Sequence, residues 1–407
     1  MLKKHRQRTE AESLVLKFNP ANRLKQIKPS GIRRFFNVAQ ETPGIINLSV
    51  GEPDFACPRQ ALVSGWESVK RGETHYTPTN GIPELREAIA QRIYRDYGLR
   101  YDSNDEVLIT VGGTEAIFLA MLGLVNGGDK VLIPNPGFVC YEPSVILAGG
   151  IPVSIPLLEE RGFKPSVDDV MSRITRESRV MLLNYPNNPT GSVLSHEEAA
   201  ELAKIAVERD MVVISDEVYE KIIYGGEKHQ CFAAFPGMRE RTLIINSFSK
   251  TYATTGLRVG FVLGPRRLVS ALWIVHQYTA ACVDSLAQHI ALGALNGPQT
   301  FIRRMVKELD KRRHLVCDRL NEIDGFHLTP PKGAFYAFPN IRESGLPSKK
   351  IAEFLEKRAR VAVVPGTTFG AYGEGYIRIS YAAGYELLEE ALNRMEKAAR
   401  GLKRPKR

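Results

Sequence analysis

Lys250 stands in the stretch "SFSKTYATTGLRVGF" (247–261), flanked by Ser247 and Ser249, with Arg258 eight residues on. An apolar run, "TLIIN", leads into it. An amine presented at a strand end can act as a nucleophile if its surroundings lower its pKa. Hydroxyls and a nearby guanidinium suit an anion, because the arginine fork matches phosphate oxygens. Two further groups have comparable potential. Asp216 lies within the apolar "VVISDEVY" (212–219), and Gly112–Gly113–Thr114 follows "LITV" and precedes the helical pattern "TEAIFLAMLGLV". Backbone N–H groups at a helix start attract anions, and glycines let a ligand approach the backbone.

These groups need a scaffold that aims them at one place. Between about residues 106 and 265, short apolar runs alternate with helical patterns. The expected strands are "EVLITV", "DKVLIP", "IPVSIPL", "RVMLLN", "MVVISDE", "RTLIIN" and "RVGFVLG". Many are β-branched and apolar on both faces, as in strands covered by helices on each side. The intervening "SHEEAAELAKIAVERD" begins at Ser195 with the signature of a capping box. The expectation is an α/β fold, a mostly parallel sheet with helices on both faces. After residue 300 the texture becomes α+β, with a long charged helix in "FIRRMVKELDKRRHLVCDRLNEI", strand-like "GAFYAFPNI" and "EGYIRISYA", and two further helical patterns. The expected domains are 46–299, large and α/β, and a smaller α+β unit from 1–45 and 300–407. In an open parallel sheet ligands bind beyond the carboxyl ends of the strands. Four polar or glycine-rich segments fall at such ends: Gly112–Thr114, "YPNNPTG", Asp216 and Ser247–Lys250.

Bulk composition narrows the classes. A chain of 407 residues, 43% hydrophobic, suits a two-domain globular protein. The longest apolar run, "AIFLAMLGLV", is far short of the ~20 residues a membrane span requires. No apolar core with a small-residue cleavage site follows the basic N-terminus, and five widely spaced cysteines include no CxxC pair. The expectations are therefore no secretory signal, no membrane partner, no metal site and a cytoplasmic location. The net charge of +10 resides in the two ends: residues 1–34 hold ten Lys/Arg against two Glu, and 397–407 hold six and no acid. The body between them has thirty-nine basic against forty-three acidic residues. Solvated tails explain this better than a nucleic-acid surface.

No GxxxxGK[ST] loop and no GxGxxG after a strand is present, so ATP and dinucleotides gain no support. A lysine beside a phosphate cup, with a strand-borne aspartate, points instead to pyridoxal phosphate, which needs an amine to bond covalently and an acid at its pyridine nitrogen.

At this point the chain resembles the class I aminotransferases of PLP fold type I, in the subgroup containing prokaryotic aspartate and aromatic aminotransferases. The likeness runs in order through "LSVGEPDF" (48–55), "HYTPTNGIPELREAIA" (75–90), "VGGTEAI" (111–117), "PNPGFVCYEP" (134–143), "NYPNNPTG" (184–191), "SDEVYE" (215–220), the lysine motif, "PKGAFYAFP" (331–339) and "GEGYIRISYA" (373–382). The resemblance implies that Lys250 holds the cofactor covalently and then moves the proton at substrate Cα. It implies that Asp216 pairs with the pyridinium nitrogen, that Tyr219 and Asn188 hydrogen-bond the ring oxygen, and that Phe138 stacks on the ring. Ordinary core packing is the alternative for Phe138. Gly113, Thr114, Ser247, Ser249 and Arg258 are implied at the phosphate. Arg378 is implied at the substrate carboxylate, with Gly51 and Asn188 beside it. Tyr76 is implied at the phosphate of a neighbouring subunit, hence a homodimer.

The implied reaction moves an amino group from an L-amino acid to 2-oxoglutarate by a ping-pong route. Aspartate is the first named donor, with aromatic amino acids open and a fold type I lyase as the alternative. A transcriptional regulator on this fold is disfavoured, since about 45 residues before the first shared motif leave no room for a helix-turn-helix module with its linker. Residues 268–302 contain neither Arg nor Lys. A distal substrate carboxylate would then rely on Tyr278, Thr279 or Ser285, or on Lys25 or Arg33.

Overall fold

The computed structural model describes residues 19–29, 31–32 and 41–400. Strand β1 (Ile46–Asn47) comes first. The large sheet follows as β2 (Val107–Thr110), β3 (Lys130–Asn135), β4 (Ile151–Pro156), β5 (Ser178–Asn184), β6 (Val212–Asp216), β7 (Thr242–Ser247) and β8 (Gly260–Leu263). Their spatial order is β2-β8-β7-β6-β5-β3-β4. All seven expected strands are present. β3 to β7 run parallel to one another, whereas β8 runs antiparallel to both β2 and β7.

Side chains alternate across the sheet with period two. Leu108, Val131, Leu182, Ile214, Ile245 and Val262 face the helices Gly112–Leu124 and Arg266–Thr279. Val107, Ile109, Ile244, Phe261 and Leu263 face the helices Pro83–Tyr97 and Ser285–Asn296 on the other side. Burial on both faces is why the strands read as unbroken apolar runs. The helix His196–Glu208 starts on the expected capping box. Ser195 Oγ accepts from the Glu198 N–H at 3.2 Å, and the Ser195 N–H donates to Glu198 Oε2 at 2.7 Å. The helix after β2 starts at Gly112, two residues before the expected Thr114. Gly112 makes the turn at φ +74°, and the Glu115 carboxylate accepts the Val111 N–H.

The carboxyl-terminal unit holds β9 (Tyr336–Ala337), β10 (Val361–Ala362), β11 (Val364–Pro365) and β12 (Ile377–Ser380). β12 lies between β11 and β9, antiparallel to both. The amphipathic helices Thr300–Asn321 and Tyr385–Ala399 bury Leu309, Val316, Leu320, Leu388 and Met395 in the same core. β1 pairs in parallel with β10, Ile46 opposite Val361, so Ile46 and Leu48 are buried in this later-made core. Among the described residues no helix is long and apolar enough to cross a membrane.

Candidate active site

The topology explains how lysine and arginine come together. β7 ends at Ser247, and β8 starts at Gly260 directly beside it in the register. Because β8 runs backwards, its first residue lies at the same rim as the ends of the parallel strands. The link 248–259 carries Lys250 and Arg258 and never leaves that rim. A parallel β8 would have needed a crossover to the far edge. Gly260 is also opposite Thr110, the end of β2. The start of the helix Gly112–Leu124 therefore sits against the same link.

A cleft of about 720 Å³, its mouth included, opens at this rim. Twelve of the thirteen expected site residues line it. From the helix start come Gly113 and Thr114, and from the lysine link Ser247, Ser249, Lys250 and Arg258. β6 and its extension contribute Asp216 and Tyr219. Gly51, Phe138, Asn188 and Arg378 complete the set. Tyr76 is the exception: it is 91% exposed in this chain and outside the cleft.

Lys250 Nζ donates to the Gly51 carbonyl at 2.7 Å. Burial pushes this amine down to about 8, with Glu52 opposing the shift and Arg258 and Arg378 adding to it. A sizeable fraction of it is thus neutral and nucleophilic near physiological pH. Asp216 is buried, and Oδ2 accepts from the Tyr141 hydroxyl at 2.6 Å while Oδ1 accepts from the Val218 N–H at 3.3 Å. Burial pushes its carboxyl up to about 6, against those two hydrogen bonds. Arg378, on β12, is fully buried. Its Nη1 donates to Asn188 Oδ1 at 3.0 Å and its Nη2 to the Ser49 carbonyl at 2.5 Å. Its Nε is buried without a partner. Asn188 is held in turn by Asn184, whose Oδ1 accepts the Asn188 N–H at 2.9 Å and whose Nδ2 donates to the Asp216 carbonyl at 3.0 Å.

Three polar lining residues carry no expected role: Tyr141, Asn184 and Tyr336. The signal for Asn184 was a polar residue closing the apolar run "RVMLLN". Tyr141 and Tyr336 lie inside shared motifs, but a tyrosine there reads equally as core. Ile32, from the amino-terminal segment, also lines the cleft. Of the groups considered for a distal carboxylate, Lys25 is exposed with its Nζ on Asn22, and Tyr278, Thr279 and Ser285 do not line the cleft of their own chain. Arg33 lies outside the described residues.

The donors fit pyridoxal phosphate. A helix start, two hydroxyls and a guanidinium suit a phosphate. Asp216 has no cation among its hydrogen-bond partners. A protonated ring nitrogen would supply one. Phe138 offers an aromatic face at the cleft wall, edge-on to Tyr141 with ring centroids 5.8 Å apart.

Fold and cleft together define an α/β enzyme whose working groups gather at the carboxyl rim of its sheet. Residues 43–395 match the family model "Aminotransferase class I and II". The aspartate aminotransferase of Pyrococcus abyssi is 45% identical over 382 residues, covering 93% of this chain and 98% of that one. The aromatic-amino-acid aminotransferase 2 of Thermococcus litoralis is 45% identical, covering 93% and 97%. The crystal structure of the aromatic aminotransferase from Pyrococcus horikoshii OT3 superposes with a TM-score of 0.85 at 44% identity, covering 89% and 98%. The chain belongs to the class I and II aminotransferases and is an aminotransferase of PLP fold type I, in the aspartate/aromatic subfamily. The family implies pyridoxal phosphate as cofactor.

Proposed function

We propose that this enzyme transfers the amino group of an L-amino acid to 2-oxoglutarate in ping-pong order, with aspartate as first donor and aromatic amino acids alongside. The observation that supports this most is the content of one cleft: a partly buried amine, a buried carboxylate without a cationic hydrogen-bond partner, and a buried guanidinium whose Nε has no partner. Pyridoxal phosphate, when bound, supplies an aldehyde that condenses with amines and a pyridinium ring that accepts an electron pair.

The chain's own residues then have distinct tasks. Gly113, Thr114, Ser247, Ser249 and Arg258 bind the phosphate. Asp216 keeps the ring nitrogen protonated, and Tyr219 and Asn188 hydrogen-bond the ring oxygen. Phe138 covers one face. Arg378, with Asn188 and Gly51 beside it, grips the substrate carboxylate and so orients the Cα–H bond. Charge-assisted pairs of this kind contribute about 1.5–3 kcal/mol. Lys250 Nζ would take the proton from Cα.

Relatives named for aspartate and for aromatic amino acids support a donor range that spans both. Lys250, Arg258 and Arg378 are the cations lining the cleft among the described residues, and each already has a task. A distal carboxylate would meet weaker neutral donors, so apolar side chains are poorly excluded.

The purified protein should be yellow, and borohydride followed by peptide mapping should fix the cofactor to Lys250. A panel of amino donors should turn over only with a 2-oxo acid present. Labelling of another lysine would overturn the site, and turnover independent of the 2-oxo acid would indicate a lyase.

A further inference from the structure

Tyr336 touches both halves of the cleft. Its hydroxyl lies 2.8 Å from the Tyr219 hydroxyl, and the two rings meet edge-on at 82°. Its ring lies under the Arg378 guanidinium, 4.4 Å from centroid to Cζ, with Phe369 a second ring at 4.8 Å. The same hydroxyl presses on the loop before Glu52, since a Cβ built at Gly51 would stand 1.9 Å from it. That loop supplies the Ser49 carbonyl to Arg378 and the Gly51 carbonyl to Lys250. β9 fixes the residue, with Tyr336 opposite Ser380 on the strand that carries Arg378.

We infer that Tyr336 is a positioning residue with two separable tasks: its hydroxyl sets how strongly Tyr219 donates, and its ring sets the plane of Arg378. This rests on the roles proposed above for Tyr219 and Arg378. Tyr219 has one phenolic proton. If that proton goes to the cofactor's ring oxygen, the 2.8 Å contact must be a bond donated by Tyr336. A phenol that accepts a hydrogen bond becomes a better donor. Burial raises both phenols, so each keeps its proton near neutral pH. Donation to the ring oxygen of a bound cofactor would spread that oxygen's negative charge and so would lower the proton affinity of the lysine nitrogen. Removing the Tyr336 hydroxyl should therefore raise the pH at which the lysine nitrogen loses its proton. The ring acts differently. Arg378 is fixed at Nη1 and Nη2 by one bond each, and the two rings, 4.4 and 4.8 Å from its Cζ, limit how its free edge can turn.

The test compares Tyr336→Phe with Tyr336→Leu in the cofactor-loaded protein. The readouts are the pH midpoint of the visible absorbance, and KM and kcat for one amino donor. Tyr336→Phe should move the midpoint up by about half a unit and leave KM within about twofold, because the ring stays. Tyr336→Leu should move the midpoint similarly and raise KM about tenfold, from the lost desolvated cation–π contact. Tyr336→Met, a flexible filler, carries the ring comparison if the leucine variant does not fold. A Tyr336→Phe protein that titrates like the parent overturns the hydroxyl's task, and an unchanged KM without the ring overturns the ring's task. A parent protein with no lysine-bound chromophore overturns the underlying site as well, which separates that failure from this one.

Discussion

Asp216 shows what a charged group costs inside a sheet. Its carboxyl is pushed up to about 6 by burial, whereas an unfolded aspartate titrates near ~3.9. Between about pH 4 and pH 6 the cofactor-free folded state therefore binds more protons than the unfolded state, and stability falls as pH rises through that window. The loss amounts to about 3 kcal/mol. Asp216→Asn should flatten the fall, as read by thermal unfolding of cofactor-free protein at several pH values. It should also slow turnover of loaded enzyme by orders of magnitude, because a neutral ring is a poor electron sink. A parallel pH dependence in parent and variant would assign the destabilisation elsewhere. Asp216 was legible because a carboxylate breaks an apolar strand pattern. Lys250 and Arg258 were legible through their place after a strand. Tyr141, Asn184 and Tyr336 were not, because phenols and amides are at home in cores once paired, and sequence does not show the pairing.

At the scale of elements, the proposed phosphate cup is a strand–turn–helix braced by the link before β8. Gly112 sits at φ +74°, and a Cβ there would stand 2.5 Å from Arg258 Nη2. Gly112→Ala should displace the guanidinium and strain the turn. Cofactor affinity should drop about tenfold or more, with about 1 kcal/mol lost from the fold. Titration of the cofactor-free variant with pyridoxal phosphate checks this, and parental affinity would refute it. The seven large strands were readable because two-faced burial leaves continuous apolar runs. The direction of β8 was not read, although its short link, with no full crossover helix, contained the clue. β9, β10 and β11 span two residues each, too short for any period to emerge. The strand expected over "GAFYAFPNI" accordingly contracts to Tyr336–Ala337.

At the scale of the whole molecule, Tyr76 and Tyr278 are 91% and 87% exposed, and Trp66 and Ile274 are 61% and 60% exposed. Aromatic side chains held in water favour an interface. Sedimentation should give twice 45.4 kDa. If Tyr76 serves the phosphate of a neighbouring subunit through its hydroxyl, Tyr76→Phe should weaken cofactor binding while leaving the dimer intact. A monomer that retains full cofactor affinity would refute the shared site. The pairing of β1 with β10 has a consequence in time. Translation runs from one end, and domains fold as they emerge. The large sheet is complete in sequence by Leu263, and with it the groups proposed for the phosphate. Ile46 and Leu48 leave the ribosome early but find their strand partner only with Val361 and Ala362. The Ser49 carbonyl receives Arg378 later still. Vectorial synthesis thus separates what the cleft sets side by side: the nascent chain has the groups proposed for the phosphate long before it has the guanidinium proposed for the carboxylate.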